Sequence, residues 1–108
     1  MTTQELCNRT QAKLSGANLS AAGEKLAVQV NLTGKNTGVF YIEVLNGTLS
    51  VMPYEYIDRD GALSMTQTDY TKFLAGKLAL DKLIASGKIK AEGNLEKIKV
   101  LESLVKAA

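Results

Sequence analysis

Side chains that perform catalysis are scarce in this chain of 108 residues, which contains no histidine and a single cysteine. Histidine is the commonest general base and metal ligand in proteins, so most hydrolytic mechanisms would lack their usual base. A thiol nucleophile needs an activating partner, and for Cys7, near a predicted helix start, a buried structural role is the commoner one. We therefore predict no catalytic residues, and we expect that the protein is not an enzyme.

Lysine follows glycine twice, as it does in phosphate-binding loops, and acidic residues cluster in one segment. Neither Lys77 nor Lys88 is followed by Ser or Thr, and neither pair has a glycine at the spacing that such loops require. Both pairs are better explained as helix ends. Glu55, Asp58 and Asp60 lack the regular spacing and the glycine turn of calcium-binding loops. We expect no metal site and no cofactor.

Charge is distributed unevenly along the chain, although the net charge is only +2. Residues 72–108 contain eight lysines and four acidic residues. These lysines are not interleaved with aromatic residues, so the pattern argues against nucleic-acid binding. Solvated helix faces explain the excess, and a weak attraction to anionic lipid headgroups is the alternative. We therefore retain transient contact with an anionic membrane surface as an expectation.

Composition indicates a single globular domain. Hydrophobic residues make up 45% of the chain, yet no stretch approaches the ~20 apolar residues that span a bilayer. A lone cysteine cannot form an internal disulfide, and the first residues lack the apolar core of a secretion signal. We expect residues 1–108 to form one domain in the cytoplasm, in an oligomeric state that the sequence leaves open.

Alternating hydrophobicity predicts strands in the first two thirds of the chain. The first strand has a clear inner face, formed by Leu26, Val28, Val30 and Leu32. Asn46 and Gly47, flanked by alternating residues, predict a tight hairpin whose type I′ turn needs positive φ at both central positions. A capping box at Thr2 and Glu5 predicts a first helix ending near Gly16.

Three glycines divide the last third of the chain. Gly76 and Gly87 are predicted to end two short helices, and residues 88–93 alternate as a half-buried strand does. Asn94 is a good N-cap for a terminal helix with an apolar stripe. In total we predict five strands and about four helices, with the strands early and the helices late, which is an α+β pattern.

The order of these segments resembles the sterol carrier protein type-2 domain family, and in particular a small, free-standing, bacterial-type member. Residues 76–94 read GKLALDKLIASGKIKAEGN, residues 38–47 read GVFYIEVLNG and residues 60–78 read DGALSMTQTDYTKFLAGKL. The glycine spacing agrees with the family without gaps. Two positions depart from its pattern: Phe40 stands where Trp is common, and Leu80 replaces a Pro that usually opens the third helix.

The resemblance implies a five-stranded mixed, mostly antiparallel sheet covered on one face by about four or five helices. It also implies non-enzymatic binding, and transfer, of a long-chain lipid in an internal hydrophobic cavity: a fatty acid, a fatty acyl-CoA or a sterol-like molecule. The candidate lipid-binding residues are Phe40, Ile42, Leu63, Met65, Phe73, Leu74, Ile84, Ile89, Ile98, Leu101 and Val105.

Two questions stay open at the level of sequence. Periodicity does not distinguish residues that line a cavity from residues that fill a core, so the alternative is a structural, interaction or dimerisation module that partners a separate enzyme. If a cavity exists, we expect the terminal helix to be its movable wall, because a C-terminal element has only one tether.

Overall fold

The computed structural model describes residues 1–108. Its α-helices are α1 (Thr3–Leu14), α2 (Gln67–Leu74), α3 (Leu80–Ala85) and α4 (Leu95–Ala107), and a short 3₁₀ turn spans Leu19–Ala22. Its strands are β1 (Lys25–Thr33), β2 (Gly38–Leu45), β3 (Thr48–Met52), β4 (Gly61–Thr66) and β5 (Lys90–Gly93). None of the helices combines the length and the apolar composition that crossing a bilayer requires.

The five strands form one sheet in the order β3-β2-β1-β4-β5. Every neighbouring pair is antiparallel except β1 and β4, which are parallel. A parallel neighbour cannot be reached by a hairpin, so the chain must cross the sheet between β3 and β4. The predicted fold class, an α+β domain with a mixed, mostly antiparallel sheet, is confirmed.

The helices cover one face of this sheet. The predicted inner face of β1 is buried there, and so are the alternate residues of β2 and β4. Ala27 and Gln29, on the other face of β1, are buried as well. Residues 53–60, which make the crossover, explain this burial: the Tyr56 backbone N–H donates to Gln29 Oε1 (3.0 Å) and the Tyr56 hydroxyl donates to Glu43 Oε2 (2.5 Å). That second bond raises the pKa of Tyr56 to about 12.

Local sequence signals account for most element boundaries. Thr2 and Glu5 form the predicted capping box at α1, and the backbone N–H of Thr2 lowers the pKa of the Glu5 carboxyl. Asn46 (φ 49°) and Gly47 (φ 80°) both have positive φ, as a type I′ hairpin turn requires. Asn94 accepts hydrogen bonds from two backbone N–H groups in the first turn of α4.

The last strand is shorter than we predicted. It begins at Lys90 rather than at residue 88, because the Ile89 backbone N–H donates to Leu83 O (3.1 Å) and so belongs to the turn that follows α3. Ile89 is nevertheless fully buried. The alternating pattern therefore predicted the burial of Ile89 correctly. The backbone of Ile89, however, is hydrogen-bonded to the end of α3 and not to a neighbouring strand.

Candidate functional site

The structure gathers the predicted lipid-binding residues into one cluster. Ten of the eleven belong to the buried hydrophobic core between the sheet and the helices, and Ile84 is half-buried against it. They come from five elements, β2, β4, α2, α3 and α4, and from the corner at Ile89, which lie far apart along the chain. The crossover and the burial of alternate strand residues bring them together, as the sequence pattern predicted.

Aromatic packing fills the centre of this cluster. The ring of Tyr70 contacts Phe40 edge to face, with centroids 5.0 Å apart, and lies 6.0 Å from Phe73. The hydroxyls of Tyr70 and Thr10 are 2.5 Å apart, and Thr10 donates to Leu6 O, so Tyr70 is the donor in the pair. Burial raises the pKa of Tyr70. Tyr70 was missing from our predicted site, although its spacing from Phe73 marked it as inward-facing.

The gap that short helices can leave above a sheet is closed in this conformation. Each of the five cavities opens at the surface, and the only predicted residues that line any of them are Ile84 and Ile98. The core residues therefore contact one another rather than a preformed tunnel. A long-chain ligand requires part of the helical layer to move.

One mostly apolar cavity, the α3–α4 groove, lies where that movement would begin. Its volume is about 140 Å³ and it is lined by Leu80, Asp81, Ile84, Leu95, Ile98 and Lys99. A cavity of roughly 150 Å³ holds a benzene molecule, so the groove admits the end of an acyl chain but not its whole length. Leu95 is 50% exposed at the rim, where it is accessible to a ligand in solution.

Helix α3 is the less firmly held wall of this groove. It has only six residues, no side-chain cap at its N-terminus and sparse contacts with every other element. Gly76 (φ 73°) and Gly87 (φ 82°) flank it, and both have positive φ. A short, uncapped helix between two glycines opens at low cost, because few interactions are lost when it moves.

Helix α4 is held at several places. It packs against β1, β4, α1, α2 and the Leu19–Ala22 turn, and its Ile98, Leu101, Leu104 and Val105 are buried. Lys97 Nζ also donates to Lys25 O (2.5 Å), which ties the first turn of α4 to β1. These contacts shift our expectation of the movable wall from the terminal helix to α3.

Cys7 and the acidic segment at residues 55–60 contain the titratable groups that the sequence offered as candidates for chemistry. Cys7 is fully buried, and burial raises the pKa of its thiol to about 11, so the nucleophilic thiolate is disfavoured at neutral pH. In the acidic segment, Asp60 Oδ2 accepts from the Ala27 backbone N–H (2.8 Å), which fixes the crossover to β1. No group of three His, Cys, Asp or Glu side chains is placed to hold a metal ion.

The sequence model of the SCP-2 sterol transfer family matches residues 4–106, which is nearly the whole chain. The chain belongs to the SCP-2 sterol transfer family. The resemblance to the sterol carrier protein type-2 family that the sequence predicted is therefore confirmed. Membership indicates lipid or sterol binding or transfer as the class of function. No curated protein matches the sequence significantly.

Solved structures with the same fold include free-standing SCP-2 proteins and part of an enzyme. Sterol carrier protein 2 from Yarrowia lipolytica, in its apo form, is 22% identical, with a TM-score of 0.72; 95% of this chain and 88% of that chain are covered. A palmitated SCP2L2 from Aedes aegypti is 17% identical, with a TM-score of 0.68; 97% of this chain and 95% of that chain are covered.

The enzyme among these structures is the inverting sec-alkylsulfatase Pisa1 from Pseudomonas sp.. It is 19% identical with a TM-score of 0.71, and 82% of this SCP-2 chain is covered. This chain spans only 14% of the length of the alkylsulfatase. The SCP-2 fold therefore also occurs as one part of a larger enzyme.

Proposed function

We propose that this SCP-2 protein binds a long-chain lipid in its apolar interior and transfers it without chemical change. A fatty acid or fatty acyl-CoA is the preferred ligand, and a sterol-like molecule is the third candidate. The observation that carries the proposal is the α3–α4 groove, whose floor is formed by two predicted site residues, Ile84 and Ile98. Ile98 also belongs to the buried cluster that contains the other nine predicted residues.

The proposed route begins with α3 swinging away from α4. This motion withdraws Leu80, the buried first residue of α3, from the core and opens the space around Ile98. The tail then packs against the predicted residues, while Leu80 and Ile84 repack on the tail. A polar headgroup stays at the rim beside Asp81 and Lys99, the two charged residues of the groove.

The energies involved make this route feasible. Burying a tail of about fifteen methylenes gains roughly 12 kcal/mol at ~0.8 kcal/mol per methylene. Association costs at least about 4 kcal/mol, which leaves about 8 kcal/mol, or a micromolar dissociation constant. The opening of α3 adds little to this cost because its displaced leucine and isoleucine side chains are buried again by the ligand.

Three further parts of the proposal concern the setting of the protein. Residues 1–108 would act as one lipid-binding domain in the cytoplasm, where a single free thiol such as Cys7 stays reduced. The lysine excess of residues 72–108 would support transient docking on an anionic membrane surface during lipid exchange. The palmitated SCP2L2 from Aedes aegypti supports a fatty acyl chain as the first ligand to test.

A second candidate function rests on the filled core. Because ten of the eleven predicted residues are buried against one another, the domain is also suited to be a structural or interaction module that partners a separate enzyme. The alkylsulfatase supports this alternative, since the same fold is part of an enzyme there. The two functions differ in whether the core admits a lipid.

Displacement of a fluorescent fatty acid by saturated acids of about eight to sixteen carbons tests the proposal. Affinity should rise with chain length by about tenfold for each pair of buried methylenes, because each methylene contributes ~0.8 kcal/mol. Leu95→Glu should weaken binding about tenfold, because it places a charge at the rim of the groove. Leu45→Glu is the matched control, since Leu45 is an exposed leucine (44%) outside the groove.

Hydrogen exchange with and without palmitate identifies the moving wall. Protection should rise most in α3, residues 80–85, if that helix opens and closes over the ligand. A larger rise in α4 would restore the terminal helix as the movable wall. Failure of every chain length to displace the probe would contradict lipid binding and favour the interaction module. Equal effects of the two leucine substitutions would exclude the α3–α4 groove as the entrance.

A further inference from the structure

The largest cleft of the molecule lies outside the proposed lipid site, and its lining contains no apolar side chain. We call it the lysine cleft. It has a volume of about 330 Å³ and is lined by Thr33, Ser64, Gly87, Lys88 and Lys90. Two lysines and two hydroxyl-bearing residues thus line one space at the end of β1 and the β5 edge of the sheet. No acidic side chain is part of this lining.

Strand register places the lysine cleft on the sheet face opposite the helices. Ser64 pairs with Lys90 across β4 and β5, so the two side chains project to the same face. Leu63 and Met65, the neighbours of Ser64, project to the other face and are buried in the core. Ile89 anchors the corner in the core, which turns the flanking lysines toward solvent.

A directed chain of hydrogen bonds ends at the lysine cleft. The Tyr56 backbone N–H donates to Gln29 Oε1 (3.0 Å), and Gln29 Nε2 donates to Asn31 Oδ1 (2.8 Å). Asn31 Nδ2 then donates to Ser64 Oγ (3.3 Å). Because Ser64 receives the last bond and donates to no protein acceptor, its hydroxyl hydrogen remains available to an acceptor in the cleft. The hydrogen bonds pass from the buried Gln29 to the half-buried Ser64, so the donor and acceptor roles along them are set inside the protein.

The charges around the lysine cleft are only partly neutralised. Lys90 takes part in neither of the two ion pairs of the protein. Lys88 Nζ lies 3.7 Å from Asp69 Oδ1, beyond hydrogen-bond length, and its side chain is 59% exposed. A third lysine, Lys35, lines an adjacent cleft that shares Thr33. The local balance therefore favours an anion.

We propose that the lysine cleft binds a phosphate group. A phosphate presents three strong acceptor oxygens, which match the ammonium groups of Lys88 and Lys90 and the unused donor of Ser64. A volume of about 330 Å³ reaches the lower range of small-molecule pockets, so the phosphate is bound together with the group that carries it. That group is either a soluble phosphorylated molecule or a phospholipid headgroup.

This site is independent of the proposed acyl site. The lysine cleft and the α3–α4 groove share no residue, and the cleft faces away from the buried core. A phosphate probe without a tail therefore reports on the cleft alone. Failure of either proposal leaves the other intact.

Titration of the ¹⁵N-labelled protein with inorganic phosphate tests the proposal, with sodium chloride at the same ionic strength as the reference. Saturable shifts are expected at the amides of residues 33, 64 and 87–90. Lys90→Gln should weaken phosphate binding roughly tenfold, and Ser64→Ala about threefold to tenfold. Lys72→Gln is the matched control, because it removes an exposed lysine that does not line the cleft, and it should change the affinity by less than about twofold.

Two further ligands distinguish the source of the phosphate. If glycerol 3-phosphate saturates the site and Lys90→Gln abolishes this binding, the ligand is a soluble phosphorylated molecule. If the protein binds only phosphatidylcholine vesicles that contain phosphatidic acid, and Lys90→Gln abolishes that binding, the ligand is a phospholipid headgroup. Either result supports the site. Equal shifts with chloride, or equal losses in Lys90→Gln and Lys72→Gln, overturn it. Lys90 is exposed, so this comparison remains decisive even if Ser64→Ala fails to fold.

Discussion

Two glycines with the same backbone conformation but different surroundings allow backbone strain and steric overlap to be measured separately. Gly87 and Gly93 both have φ of +82°. A Cβ at Gly87 would have no atom within 4 Å. A Cβ at Gly93 would lie 2.6 Å from Asp60 O and 2.9 Å from Gly61 Cα, which are backbone atoms. The pair Gly87→Ala and Gly93→Ala therefore differs mainly in steric overlap.

The backbone that faces Gly93 has little freedom to yield. Asp60 O already accepts from the Asn94 backbone N–H (2.8 Å), and the Asp60 N–H donates to Ala27 O (2.8 Å). Gly61 pairs with Gly93 across β4 and β5. Relief of the overlap must therefore displace β5 from β4 and weaken the hydrogen bonds that join them.

The expected costs follow from these two terms. An alanine in the left-handed conformation costs about 1–2 kcal/mol, and this cost is the whole destabilisation expected for Gly87→Ala. Overlap with packed neighbours adds typically about 1–3 kcal/mol, so Gly93→Ala should cost about 2–5 kcal/mol. Each kcal/mol lowers the Tm of a domain of this size by roughly 4–8 °C, so the two variants should be easily distinguished.

Urea unfolding followed by far-UV circular dichroism gives both free energies, provided that the m values of the variants agree with that of the parent protein. The informative quantity is the difference between the two variants, since the φ contribution is common to both. If Gly93→Ala and Gly87→Ala agree within about 0.5 kcal/mol, the close approach of β4 and β5 at this point is incorrect, and so is the packing that we derive from it.

Two other outcomes are expected. Gly47→Val should cost about 1–3 kcal/mol, because a β-branched residue is strained at φ 80° in the hairpin turn; an unchanged melting temperature would contradict the turn. Burial raises the pKa of Cys7 from 9.0 to about 11, so its contribution to stability is complete below pH 9 and falls as pH rises toward 11. The difference in unfolding free energy between the parent protein and Cys7→Ala should therefore shrink over that interval, and a constant difference would show that the thiol is not buried.

Prediction from sequence succeeded where a structural feature depends on neighbouring residues. The capping box of Thr2 and Glu5 and the positive φ values of Asn46 and Gly47 are local requirements, and each was correct. The period of two in β1 likewise identified its inner face, because side chains alternate across a strand. The beginning of β5 was misplaced by two residues, since the hydrogen bond from Ile89 to the end of α3 is not visible in a hydrophobic pattern.

The burial of the candidate site residues was predictable from the sequence, but the shape of the core was not. Hydrophobic periodicity selects the residues that face inward, and the structure places ten of the eleven in one core. It does not determine how their volumes fit, and in the structure the ring of Tyr70 packs against Phe40 and Phe73 inside the core. Leu80 and Leu95 line the groove because α3 and α4 meet there, which is a relation between two separate segments.

By itself, the sequence determined the family, the α+β class and the inner faces of the strands and helices, because these depend on residue order, turn chemistry and periodicity. Only the tertiary structure decided that the core is closed, that α3 rather than α4 is the weakly held wall, and that Ser64, Lys88 and Lys90 share a cleft. These features depend on strand register, on side-chain volume and on the number of neighbours that each helix contacts. All three arise from residues that are distant in the chain, so no local pattern contains them.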